Sequence, residues 1–203
     1  PKIHQWIGEE PRPGLDRDSR FTLLLHDVGN NKSARDYGGY FSSADQNPLD
    51  PNSNRGEILF MDIYTYRQRG KRTFYTSLAH EITHLVNWYQ NGGHTDEIWL
   101  EEGMASFAEW AIYGNVHTIF VNGYLKDPTV SLTEANTQNV LYGAGFMFLL
   151  YAYENYGGRK FIKELVRQDQ LGMAGVEATL EMLKREKKAI DIFQNWLVAN
   201  LFN

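Results

Sequence analysis

The sequence predicts an α+β fold, with a mixed β-sheet in its N-terminal part and a mostly α-helical C-terminal half. Two observations lead there. Before about residue 72, short runs rich in branched and aromatic residues alternate with turn-rich loops. After it, apolar residues recur at helical spacing and Gly-rich breaks separate the segments. The whole chain, residues 1–203, reads as a single domain. Residues 1–91 form a β-rich upper subdomain ending in a long helix, and residues 92–203 form a helical lower subdomain.

In the first part, Phe21-Thr22-Leu23-Leu24-Leu25 and Ile58-Leu59-Phe60-Met61-Asp62-Ile63-Tyr64 read as strands. Tyr37-Gly38-Gly39-Tyr40-Phe41 between them reads as a hairpin or short strand. The loop from Ser42 to Gly56 is rich in Asp, Asn and Pro. In its segment Asp50 to Glu57 the glycine sits one position later than in an EF-hand loop, and no glutamate occupies the twelfth place, so an Asx/Pro turn is expected. In the second part, Thr73 to Gln90 is a helix stopped by Asn91-Gly92-Gly93. A second helix runs from about Glu97 or Ile98 to Tyr113. Ser131-Leu132-Thr133-Glu134 has capping-box spacing and marks a short helix start. Further helices are expected at about 143–156, 158–169, 172–186 and 189–201.

With 203 residues, 42% of them hydrophobic and 14% aromatic, the composition is that of a globular chain. The net charge of −5 and the acid-interrupted cluster Lys184-Arg185-Glu186-Lys187-Lys188 argue against a nucleic-acid partner, which needs a concentrated basic face. No run is long enough for a membrane span. There is no cysteine, so any metal is held by nitrogen and oxygen atoms. The first residue is Pro1, and a processed or excised form is expected. Oligomeric state is not legible.

The chemistry concentrates in His80-Glu81-Ile82-Thr83-His84. On a helix, residues four apart share a face, so His80 and His84 present two imidazoles to one point, a spacing that suits tetrahedral Zn2+. Glu81 is placed to reach a water there rather than the metal. A catalytic zinc keeps three protein ligands and one open position, so a further ligand must come from another element. Glu102, 18 positions after His84, can fold back across the Gly92-Gly93 turn. Glu101 competes on spacing alone. The two point about 100° apart on a helix, so only one faces the metal.

These residues resemble the gluzincin clan of zinc metallopeptidases, and among them the hyicolysin-type family of bacterial secreted enzymes. Asp96-Glu97-Ile98-Trp99-Leu100-Glu101-Glu102-Gly103-Met104-Ala105 is similar to the clan's Trp-Leu-Asn-Glu-Gly pattern, with Glu101 where Asn is usual. The resemblance implies Glu102 as third ligand and a zincin-like fold. Tyr142-Gly143-Ala144-Gly145 is similar to the Tyr-x-Lys-Gly segment of the gluzincin aminopeptidases, with Ala144 replacing Lys. It implies Tyr142 as donor to the developing oxyanion; His117 is a lesser alternative. The Gly-x-Met-Glu-Asn strand by which those aminopeptidases hold an amino terminus is not found before His80. In all, the likeness covers about residues 56–160.

The expectation is thus a zinc endopeptidase acting on peptide or protein substrates outside the cytoplasm, with Glu81 as general base. A zinc aminopeptidase or other zinc hydrolase, or a zinc-binding module without turnover, are the alternatives. By the same resemblance, the strand Gly56–Tyr64 forms the upper rim of the cleft and pairs with extended substrate. Glu109, Ser106 and Asp96 are candidates for orienting the two histidines.

Overall fold

The computed structural model describes residues 2–27, 38–133 and 138–202. Among them, α1 (Lys2–Trp6) leads to three strands, β1 (Thr22–His26), β2 (Gly39–Phe41) and β3 (Ile58–Asp62). Helices follow: α2 (Gly70–Gln90), α3 (Ile98–Tyr113), α4 (Thr118–Lys126), α5 (Gln138–Tyr156), α6 (Arg159–Leu165), α7 (Gly172–Met182) and α8 (Ala189–Leu201). The architecture is α+β, with a small mixed sheet ahead of a mostly helical C-terminal half.

The sheet order is β1-β3-β2, with β3 parallel to β1 and antiparallel to β2. Tyr40 and Phe60 stand opposite in the register and stack with ring centroids 4.5 Å apart. Leu59 and Met61 of β3 are buried. This corrects the expectation for Gly56–Tyr64. The β3 strand is paired on both sides and has no free edge for a substrate, and after Asp62 the chain leaves the sheet for a π-helical turn, Thr65–Arg69. The edge strand nearest the long helix is β2. Tyr37, part of the expected hairpin, lies outside the described residues.

Helix α2 buries Phe74, Ala79, Leu85 and Val86 along one stripe. Its buried Thr83 hydroxyl donates to the Ala79 carbonyl, so no polar atom is stranded there. Gly92 and Gly93 both adopt positive φ and end the helix, as the lack of a Cβ permits. Helix α3 is buried on nearly every side, through Trp99, Leu100, Met104, Phe107 and Ala108.

Its seat on α5 is backbone against backbone. A Cβ on Gly103 would lie 2.7 Å from the Gly145 carbonyl carbon, and one on Gly145 would collide with the Trp99 carbonyl. Gly143 similarly touches the Phe120 carbonyl of α4. The Gly143-Ala144-Gly145 run is therefore a packing device, and the methyl of Ala144 is buried in the core. Around this seat, Trp99, Tyr124, Phe148 and Trp196 form an aromatic centre, with Tyr124 and Trp196 stacked at 5.4 Å. Ile3 and Ile7 add to the same core from the chain's start.

Helix α4 was not expected. Its sequence Thr118-Ile119-Phe120-Val121-Asn122-Gly123 is β-branched and Gly-containing, and packing on α5 overrides that preference. Helix α5 begins at Gln138, five residues ahead of expectation. The expected capping box falls partly at Glu134, outside the described residues. The Asx turn expected at Asp50 is present, with Asn52 N–H donating to Asp50 Oδ1 at 2.8 Å.

Candidate metal centre

His80 and His84 sit one turn apart on α2, with ring centroids 4.8 Å apart. Glu102, on α3, turns its Oε2 towards both: 3.2 Å from His80 Nε2 and 3.8 Å from His84 Nε2. The three donor atoms lie within 4.8 Å of one another, a group able to hold a metal ion. Ligands about 2.0–2.2 Å from a tetrahedral ion stand about 3.4 Å from each other, so the two measured separations bracket that value. Glu102 Oε2 is buried without a well-aligned hydrogen-bond donor, as expected for an oxygen aimed at a shared cation. The donor set, two imidazoles and a carboxylate, fits zinc.

The far side of each imidazole is also held. His80 Nδ1 donates to Glu109 Oε1 at 2.8 Å, and Glu109 Oε2 accepts from Asn115 Nδ2 at 2.8 Å and His117 Nε2 at 2.7 Å. His84 Nδ1 donates to Glu101 Oε2 at 3.2 Å. These contacts rank the candidates for orienting the histidines. Glu109 does so for His80. Ser106 keeps a buried hydroxyl without a partner. Asp96 instead accepts from the Glu97 and Gly172 amides. Glu101, which sequence reasoning weighed only as a ligand, holds His84. The signal was present in its i−1 position to Glu102, which turns it about 100° away from the metal.

Burial opposes protonation of His80, but the Glu102 and Glu109 carboxylates outweigh it and raise its pKa well above the usual value. His84 is raised likewise, against burial, mainly by Glu101. Burial works against ionised Glu109 too, yet His117 and His80 bring its pKa down to about 2. Glu102 is lowered despite burial, by His80 first and with help from the Tyr142 hydroxyl, which hydrogen-bonds to it. Tyr142 thus reaches the cluster from α5. Glu81 is the exception: burial raises its pKa, and the Phe41 amide of β2 is hydrogen-bonded to its carboxylate.

Beside the cluster lies a cleft of about 250 Å³, lined by His84, Glu101 and Glu102 together with Phe41, Trp88 and Ile98. His117 lies apart from this cleft, bound to Glu109, and His94 is exposed in the loop between α2 and α3.

No protein-family model matches the chain. It is 27% identical over 193 residues to the neutral metalloprotease ShpI of Staphylococcus hyicus. The chain is similar to a metalloprotease. The alignment covers 82% of this chain and 42% of that protein, so the chain spans about two fifths of the length of the curated relative it matches. A metalloprotease relative implies a metal cofactor, and His80, His84 and Glu102 form a group that could hold one.

Proposed function

We propose that the chain is a zinc-dependent endopeptidase of the gluzincin type, with His80, His84 and Glu102 as metal ligands, Glu81 as general base and Tyr142 as oxyanion donor. The observation that carries this reading is the convergence of two Nε2 atoms and one carboxylate oxygen on a single point, with a second acid, the buried Glu81, on the helix of the two histidines. The metalloprotease relative supports it independently. A zinc ion held there supplies Lewis-acid polarisation of the scissile carbonyl and an acidified water.

The chain's own groups do the rest. Glu81 accepts the proton of the attacking water and passes it to the leaving amine. Its pKa, raised by burial, moves it towards the range where such transfer is efficient at neutral pH. The Phe41 amide fixes one of its oxygens and holds the carboxylate in place. Tyr142 donates to the carbonyl oxygen as charge builds on it, moving from Glu102 to do so. The cleft walled by Phe41, Trp88 and Ile98 receives a substrate side chain.

An extended peptide has one open strand edge to pair with on this side of the sheet, that of β2 among the described strands. Internal cleavage is favoured because no amine-capturing Gly-x-Met-Glu-Asn strand occurs before His80. Action outside the cytoplasm rests on the resemblance noted in the sequence. Among the described residues, no helix is long and apolar enough to cross a membrane.

The test compares hydrolysis of an unfolded protein such as casein by the wild type and by Glu81→Gln, with metal content measured on both. The expected result is zinc retained in the variant with activity lower by about 10²–10⁴-fold, the usual contribution of a general acid–base group. Equal activity would sink the mechanism, and release of single amino-terminal residues would replace the endopeptidase reading with an aminopeptidase one.

A further inference from the structure

Helix α3 carries three acids facing α2: Glu101 and Glu109 are buried, exposed by 7% or less, and Glu102 is partly buried. Among the described residues, no Lys or Arg forms an ion pair with any of them; the cationic partners are His80, His84 and His117. Several carboxylates withdrawn from water, whose charged partners are imidazoles alone, are costly unless a further positive charge lies among them. Glu102 and Glu109 have roles in the site reading. Glu101 stands where the resembled pattern has an amide, and that difference is the useful one.

An Asn side chain can accept from a histidine N–H or donate to a bare ring nitrogen, whereas a carboxylate only accepts. Glu101 Oε1 is filled by the Asp96 amide at 3.0 Å, and Oε2 by His84 Nδ1 at 3.2 Å and Asn87 Nδ2 at 3.5 Å. This fixes the proton of neutral His84 on Nδ1 and leaves Nε2 free to bind. It also places a full negative charge behind the imidazole.

We infer that Glu101 is a positioning residue for the metal, giving His84 the same carboxylate support that Glu109 gives His80, so that both histidine ligands are tightened by acids from one helix. The inference rests on the metal-site reading above. Its substance is charge, since an isosteric amide would keep the shape and one acceptor oxygen.

The experiment prepares metal-free wild type and Glu101→Gln, then measures zinc affinity by competition with a chromophoric chelator. Visible spectra are recorded on the cobalt-substituted forms, and thermal unfolding of the metal-free proteins serves as the check on folding. The expected result is a zinc affinity lower by about 10–100-fold in Glu101→Gln, the usual cost of removing an outer partner of a ligand. A displaced cobalt band is expected with it, and the unfolding of the metal-free protein should be close to that of wild type. If Glu101→Gln fails to fold, Glu101→Asn, the residue of the resembled pattern, carries the same comparison. Equal affinity and superimposable cobalt spectra would overturn the inference while leaving the site intact. A wild type that takes up no stoichiometric metal would remove the site reading itself, and this inference with it.

Discussion

In β1, Leu23, Leu24 and Leu25 all remain exposed, whereas in α5 Phe146, Phe148 and Leu149 are all buried. Both segments are apolar. The difference lies in what covers them: the described sheet has three strands and packs one side on α2, while α5 is gripped by α3, α4, α6 and α8. A small sheet cannot bury both faces of an edge strand, and a helix at the centre of a bundle has no exposed side. The division of labour in the candidate site follows the same line. Every side-chain donor to the cluster comes from α2, α3 or α5, and the contact traced from the sheet is a backbone amide, that of Phe41. Under the proposed function, stability and metal binding belong to the helices, and substrate placement to the sheet.

The sharpest way to break this comparison is to hollow out the helical side. Phe148→Ala removes a ring packed between Trp99 and Trp196 and should cost about 3–5 kcal/mol in denaturant unfolding. Phe41→Pro tests the sheet's share. It deletes the amide that meets Glu81 and should lower peptide hydrolysis by about tenfold, the worth of one hydrogen bond to a charged group, with zinc content unchanged. Loss of metal in that variant would show that the sheet also builds the metal site. Leu24→Ala should change stability by no more than about 0.5 kcal/mol, as surface positions do. A cost comparable to that of Phe148→Ala would mean that β1 is covered in the folded protein.

A further prediction concerns the joint between helices α2 and α3. Asp96 has a pKa raised from 3.8 to about 6, chiefly by burial. The folded chain therefore binds this proton more tightly than the unfolded chain does, and stability contributed by the protonated form is lost as pH rises through about 6. Asp96→Asn keeps an acceptor for the Gly172 amide and removes the titration. Its melting temperature should gain on that of the wild type between pH of about 4 and about 6, and parallel profiles would count against the shift.

What the sequence disclosed was whatever depends on local period. The i, i+4 spacing of His80 and His84 and the helix over Ile98–Tyr113 needed no knowledge of the rest of the chain. The choice between Glu101 and Glu102 needed a pattern from elsewhere, and the structure finds a contact for each on a different side of the histidines. Pairings were hidden. Ile58–Asp62 looks the same in sequence whether it is an edge or a central strand, so its having a neighbour on each side was not legible. The sequence offers Glu109 as one of three candidates for orienting a histidine but cannot rank it, because its contact with His80 spans 29 positions. Helix α4 was hidden for a related reason, because its helicity is imposed by α5 rather than by its own residues.

The Gly103–Gly145 contact couples these pieces in another sense. In the proposed site a ligand and both outer supports ride on one helix, and a main-chain contact sets how closely that helix meets its neighbour. A core side chain that touches neither glycine can change without altering this contact. A single bulky replacement at either glycine would instead displace Glu101, Glu102 and Glu109 as a block. Such a centre is inherited or lost whole, and transplanting it to another scaffold would require moving the α2–α3–α5 trio rather than grafting a five-residue motif.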